Sequence, residues 1–278
     1  MKNTSFLSIL LPLFFIVGIT SCSEVKKGES TVSIVDKISI QKDSFTLAAE
    51  EHPLSKNNDG VFDDFFYNFV IDEDFRLTRI QFPLPNVHFG QCTSIKQNEW
   101  KNAAPIDECK IYAILYSSHT DFGAEKDTTI REVEVDIVHL KNDRIQQLFF
   151  ECQDNKWMLS KMRTMITRAH TNNSFFDFYT NFANDSTFRQ QHIKNPFHFK
   201  TEDEYSNESI EGSVNAEAWA EYSPELPDNI LVCINYGKKN HTSNERFLIL
   251  SDLSAGLSTT LKFKKIRNSW MLTNLENY

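Results

Sequence analysis

The feature that most constrains this chain is that it repeats itself. Phe62-Asp-Asp-Phe-Phe-Tyr-Asn-Phe69 is echoed by Phe175-Phe-Asp-Phe-Tyr-Thr-Asn-Phe182, 113 residues further on. The same offset carries Asp72, Phe75, Arg76, Ile80 and Pro83 onto Asp185, Phe188, Arg189, Ile193 and Pro196, and Trp157-Met-Leu159 onto Trp270-Met-Leu272. Between these ends the offset becomes 119, matching Trp100, Pro105 and Ile111-Tyr-Ala-Ile-Leu115 to Trp219, Pro224 and Ile230-Leu-Val-Cys-Ile234. It returns to 113 at Leu148/Leu261 and Phe150/Phe263. Compensating insertions between matched segments are what two related units show, because loops tolerate length changes that helices and strands do not. The chain is therefore expected to hold two units of one fold, residues 59–168 and 169–278.

Within a unit, Phe62, Phe65, Phe66, Phe69 and Val70 fall at i, i+3, i+4, i+7 and i+8, the apolar stripe of a helix. Phe175, Phe178, Tyr179, Phe182 and Ala183 repeat it. Asp72 and Asp185 are placed to cap a second short helix, which must end before Pro83 or Pro196. The remainder is β-branched and aromatic, in runs broken by polar turns such as Lys141-Asn-Asp143. The runs are 110–116, 130–140, 146–152 and 157–164, then 230–236, 246–250, 258–266 and 270–275. Helix, helix, then about four antiparallel strands describes an α+β unit, its helices packed on one face of a curved sheet.

Two helices followed by a meander ending on a Trp-containing strand resemble the nuclear transport factor 2-like (cystatin-like α+β) fold. More narrowly, F-x-x-F-x-x-x-F, D-x-x-F-R-x-x-x-I-x-x-P and the terminal W-M-L, together with the leader described below, resemble an uncharacterised lipoprotein family of Bacteroidota with tandem domains of this kind. The resemblance implies a cone-shaped unit with a pocket between sheet and helices. It transfers no catalytic residues.

The polar residues kept in both units are Asp64/Asp177, Asn68/Asn181 and Arg76/Arg189. One reading makes Asp64 or Asp177 a general base at a cone mouth. The other pairs Asp with Arg across the two helices and lets Asn tie the connection. Duplicated units share what their fold requires more readily than what one active site requires, which favours the structural role. The aromatic stripes, with Trp100 and Trp219, could line an apolar or sugar-binding cone or simply fill a core. If only one unit binds a ligand, positions that differ between units, such as Tyr67/Thr180 and Arg79/His192, are better suspects than shared ones.

Residues 1–21 read as a secretory signal: Lys2, then an apolar run from Phe6 to Ile19. That run is shorter than the roughly 20 residues needed to span a bilayer. Ile19-Thr20-Ser21-Cys22 resembles a bacterial lipobox, which implies cleavage before Cys22 and lipidation of its sulfur. Residues 22–58 then form a lipidated tether, and the protein belongs in the cell envelope, on the periplasmic face of a membrane or at the cell surface, held by acyl chains alone. In such a compartment disulfides persist. Cys92 and Cys109 are one candidate pair, with free buried thiols as the alternative.

A net charge of −9 argues against nucleic acid as a partner. The eight histidines show neither H-x-H nor H-E-x-x-H spacing, so no metal motif is present, and no P-loop or other glycine-rich phosphate cradle suggests a cofactor. The expectation is a noncatalytic binding or interaction module for a small apolar molecule, a glycan or an envelope protein. The alternatives are an isomerase or hydro-lyase with an Asp base in one cone, and a structural spacer that meets a protein partner.

Overall fold

The computed structural model describes residues 59–103, 111–118, 121, 124, 127–202, 208–237, 243–252 and 258–278. The leader 1–21, Cys22, the rest of the 22–58 tether and Cys109 lie outside them.

Both aromatic stripes form helices. α1 (Phe62–Ile71) buries Phe62, Phe65, Phe66 and Phe69, and α4 (Asn173–Asn184) buries Phe175, Phe176, Phe178, Tyr179 and Phe182. Each is followed at once by a short helix, α2 (Glu73–Thr78) or α5 (Ser186–Gln191). The two aspartates cap these as their position predicts: Asp72 Oδ1 accepts the Phe75 N–H at 2.9 Å, and Asp185 Oδ1 accepts the N–H groups of Thr187 and Phe188. A further short helix follows in each unit, α3 (Trp100–Ala103) and α6 (Trp219–Tyr222), opening on the paired tryptophans.

The strands of the first unit are β1 (Leu84–His88), β2 (Gln91–Ile95), β3 (Ile111–Tyr116), β4 (Glu132–His139), β5 (Arg144–Gln153) and β6 (Lys156–Ile166). Those of the second are β7 (Ile193–Glu202), β8 (Ser209–Val214), β9 (Ile230–Asn235), β10 (Glu245–Asp252), β11 (Ser258–Ile266) and β12 (Ser269–Asn277). No apolar run announces the hairpins β1–β2 and β7–β8; Pro83 stands just before β1 and Pro196 within β7, and each follows a cis peptide bond. The β1 hairpin turns through Phe89 and Gly90, both at positive φ, where glycine is at no steric disadvantage.

All twelve strands join in one sheet, in the order β2-β1-β6-β5-β4-β9-β3-β10-β11-β12-β7-β8. The two units have exchanged a strand. β3 does not pair with β4, the next strand in sequence; it pairs antiparallel with β10, while its repeat counterpart β9 pairs antiparallel with β4. β3 and β9 meet at the centre as a parallel pair, Ile114 with Val232 and Leu115 with Cys233. β1 with β6 and β7 with β12 are parallel too, so the expected all-antiparallel meander holds only for β4–β5–β6 and β10–β11–β12.

The parallel central pair fixes how the units are related. A pseudo-twofold that keeps strand direction must lie in the sheet along the strands, and such an axis reverses the sheet's faces. Side chains alternate along a strand and face their cross-strand partners. Phe247 of β10 packs in the cluster that contains α1's phenylalanines. Its neighbour Arg246 is opposite Phe263, which α4 covers. Over the shared strands, then, α1 lies on one face and α4 on the other.

Candidate functional site

Neither aromatic stripe lines an open cone. Around Phe150 the rings of Phe62, Phe65, Phe66 and Phe69 stand with centroids 5.1–5.8 Å away, and Trp157 closes on Phe62 at 5.0 Å. The second unit repeats this around Phe263, with Phe175, Phe178, Tyr179 and Phe182 at 5.3–6.3 Å and Trp270 at 5.2 Å from Phe175. These edge-to-face aromatic contacts are tightly packed cores. Trp100 and Trp219 are buried with them.

The shared polar residues belong to the helix junctions. Arg76 donates Nε–H to the Phe69 carbonyl at 2.6 Å and a terminal N–H to the Val70 carbonyl; Arg189 does the same for Phe182 and Ala183 at 2.7 and 2.6 Å. The expected bond between Asp and Arg is replaced by a guanidinium cap on the C-terminus of the preceding helix, whose last carbonyls have no partner within the helix. Asn68 and Asn181 donate to the Asp64 and Asp177 backbone carbonyls one turn back, at 2.9 and 2.8 Å. Asp177 is exposed and Asp64 half-buried, and neither lines a cavity described below. Among the cysteines, Cys92 is an exposed free thiol on β2, Cys152 and Cys233 are free, and Cys109 lies outside the described residues.

The constellation that sequence reasoning missed lies on the α4 face of β4. Val133, Val135 and Ile137 point to the α1 core, which turns Glu134 and Asp136 to the opposite side. Gln147 of β5, directly across from Asp136, donates its amide N–H groups to both carboxyls: Glu134 Oε1 at 2.5 Å and Asp136 Oδ1 at 2.8 Å. Arg163 of β6 reaches Gln147 Oε1 at 3.3 Å. From the turn entering α4, His170 Nε2 stands 3.0 Å from Asp136 Oδ2, and its Nδ1 accepts the Asn172 N–H at 3.1 Å. With Nδ1 accepting, Nε2 carries the ring proton and donates to Asp136. Asn172 Oδ1 in turn accepts from buried Arg246, whose guanidinium lies over the Trp270 ring.

A cavity of about 90 Å³ adjoins this network, lined also by Leu115, Ser117, Asp121, Cys233 and Asn235. Burial raises the Glu134 carboxyl to about 7, helped by the charge and hydrogen bond of Asp136 and opposed by His170 and Arg163. Burial also pushes the Cys233 thiol well up, so it is no thiolate nucleophile. Among the described residues no group of three or more His, Cys, Asp or Glu is set to hold a metal ion.

Among the described residues, the pseudo-equivalent place on the other face has no carboxyl on its strands; its polar groups are the Tyr116 and Tyr236 hydroxyls, 3.5 Å apart, the second of which donates to Asp63 Oδ1 at 2.6 Å. The strand registers superpose Glu134 and Asp136 on Phe247 and Ile249, and Cys233 and Asn235 on Ile114 and Tyr116. All four of those residues pack in or against the α1 core. The polar site therefore stands where the repeats differ, although not at the divergent pairs singled out in the sequence. Arg79 forms a bidentate pair with Asp59 at 2.8 and 2.9 Å, and His192 stacks on Phe188 at 3.8 Å.

Among the described residues no helix is long and apolar enough to cross a membrane. No curated protein matches the sequence. Of solved structures, an NTF2-like protein from Bacteroides fragilis is 28% identical, with a TM-score of 0.71 over 80% of this chain and 97% of its own. An NTF2-like protein of unknown function from Shewanella baltica aligns at 8% identity over 40% of this chain and 90% of its own, its TM-score of 0.23 too low to bear on the fold. The α+β, NTF2-like fold is thus shared with the Bacteroides structure. Residues 41–277 match the family described as "Domain of unknown function (DUF4348)", and the chain is a member of that family.

Proposed function

We propose that this protein is a lipid-anchored component of the cell envelope, attached through Cys22, that acts as a noncatalytic interaction module and meets an envelope protein on its outer surface. The observation that carries this reading is the filling of both cones: Phe69 with Phe150 in one, and Phe175 and Phe182 with Phe263 in the other, are fully buried in ring-to-ring contact. An apolar ligand or a sugar would have to displace them. The recess beside Glu134, at about 90 Å³, falls well short of the ~300 Å³ at which small-molecule pockets begin. The match to a Bacteroides structure suits the lipobox reading of Ile19 to Cys22. Native mass spectrometry of protein extracted without denaturation tests both halves of the proposal. The expected mass is that of the polypeptide from Cys22 onward plus acyl groups, with the acyl increment gone in Cys22→Ala. A stoichiometric sterol, lipid or sugar retained by the folded chain would overturn the noncatalytic filled-core reading in favour of a carrier.

One observation favours a second reading. A carboxyl near neutrality beside a polar cavity has the property wanted of a general acid or base, and Glu134 would take the role expected of Asp64 or Asp177. An isomerase or hydro-lyase working there would be confined to a small polar substrate. Saturable binding of such compounds, lost in Glu134→Gln, is the result that would support it.

A further inference from the structure

The network at Glu134 joins β4 of the first unit to the turn by which the chain enters α4 of the second, beside the backbone bond from the Thr167 N–H to the Asp143 carbonyl at 3.3 Å. Glu134 and Asp136 are two residues apart on one strand face and share the single Gln147 amide. Two carboxylates so placed repel when both are charged, and a proton shared between them removes the conflict. His170 then completes the join, bridging from Asp136 to the Asn172 N–H.

We propose that Glu134, Asp136, Gln147 and His170 form a proton-operated clasp, which fastens the segment entering α4 to β4 while the two carboxyls share a proton and loosens it when that proton leaves to solvent. The groups facing Glu134 come from every neighbouring element. Asp136 on β4 adds negative charge, Arg163 on β6, bonded to Gln147, offsets part of it, and Asp121 lines the adjoining cavity. His170 lies in the turn before α4, and the Cys233 thiol stays neutral on β9. Arg246 on β10 is engaged by Asn172 and by the Ser243 and Glu245 carbonyls. The cavity gives the departing proton a route and the ionised pair room to take up water. The matching seam on the other face, built from Ile114, Tyr116, Phe247 and Ile249, holds no carboxyl pair, so the device acts on one unit only.

The sign follows from the direction of the shift. A carboxyl raised in the folded state binds its proton more tightly there than in the open state, so the closed clasp is favoured at low pH and weakens as pH rises towards about 7. Amide hydrogen exchange on the full chain, corrected for the intrinsic pH dependence of exchange, reads this directly. Protection across 167–176 is expected to fall about tenfold between about pH 5.5 and about pH 8, while protection of the exposed edge strands β2 and β8, which fray without the rest of the sheet opening, stays level. Glu134→Gln, and separately Asp136→Asn, should make the 167–176 segment indifferent to pH. In the wild-type chain, which needs no variant to fold, a protonated-carboxyl infrared band persisting at about pH 6 is the accompanying expectation. Equal protection at both pH values, a pH response spread evenly over all strands, a response retained in Glu134→Gln, or absence of the infrared band would each overturn the clasp.

Discussion

Tyr179 and Phe66 occupy the same place in the two repeats, and the difference between them is one hydroxyl. Phe66 contributes a bare ring to the Phe150 cluster, whereas the Tyr179 oxygen is buried with no hydrogen-bond partner among the described residues, and burial pushes its phenol pKa up. An unmatched buried hydroxyl costs free energy without return, so Tyr179→Phe is expected to be neutral or to stabilise by about 1 kcal/mol in urea unfolding. The helix-capping arginines lead to the opposite result. Arg76→Ala leaves the Phe69 and Val70 carbonyls without their donor and should cost about 1–3 kcal/mol. In a double-mutant cycle Arg76→Ala and Asp64→Ala should add without coupling, because the guanidinium serves carbonyls rather than that carboxylate. The repeat of Arg76 at Arg189 was legible in the sequence; its partner was not. A carbonyl carries no residue identity, so a capping arginine reads from sequence as an ion pair waiting for its acid. Glu134 and Asp136 escaped notice for a related reason: comparing the repeats draws attention to what they share, and these residues stand where the other repeat has Phe247 and Ile249.

At the scale of elements, the helices were legible because aromatic residues at helical spacing and an aspartate cap leave little choice. Strands β4–β6 and β10–β12 were legible from their apolar runs. The exchange of β3 and β9 was not, because Ile111-Tyr-Ala-Ile-Leu115 and Ile230-Leu-Val-Cys-Ile234 are so alike that either suits the slot beside β4 or β10. The helix-facing core makes a sharp forecast here. Phe150 touches four rings of α1, so Phe150→Ala should cost about 3–5 kcal/mol, the usual loss for a large buried aromatic. Phe263→Ala in the second unit should cost as much, and similar losses in thermal or urea unfolding would show the two cores to be equally tight.

For the whole molecule, the sequence boundary at 168/169 separates the repeats but not the folded body, since each half of the sheet contains a central strand from the other. Residues 59–168 produced alone should fail to unfold cooperatively by circular dichroism, and mixing them with 169–278 should restore a transition. Independent folding of either piece would mean that β3 or β9 can return to its own unit. Global stability should also slope with pH: Glu134, raised from the ordinary 4.5 to about 7, favours the folded chain below that window, and the advantage is lost as pH rises through it. Glu134 is partly exposed, so solvent screening reduces the effect, and Glu134→Gln should flatten the slope. The exchange of strands has a further consequence for the gene. Once each copy holds a strand of the other, deleting either copy opens the sheet of the one that remains. Mutations accumulate independently in the two halves, as the carboxylates on one face and the phenylalanine on the other show, but the duplication itself can no longer be reversed.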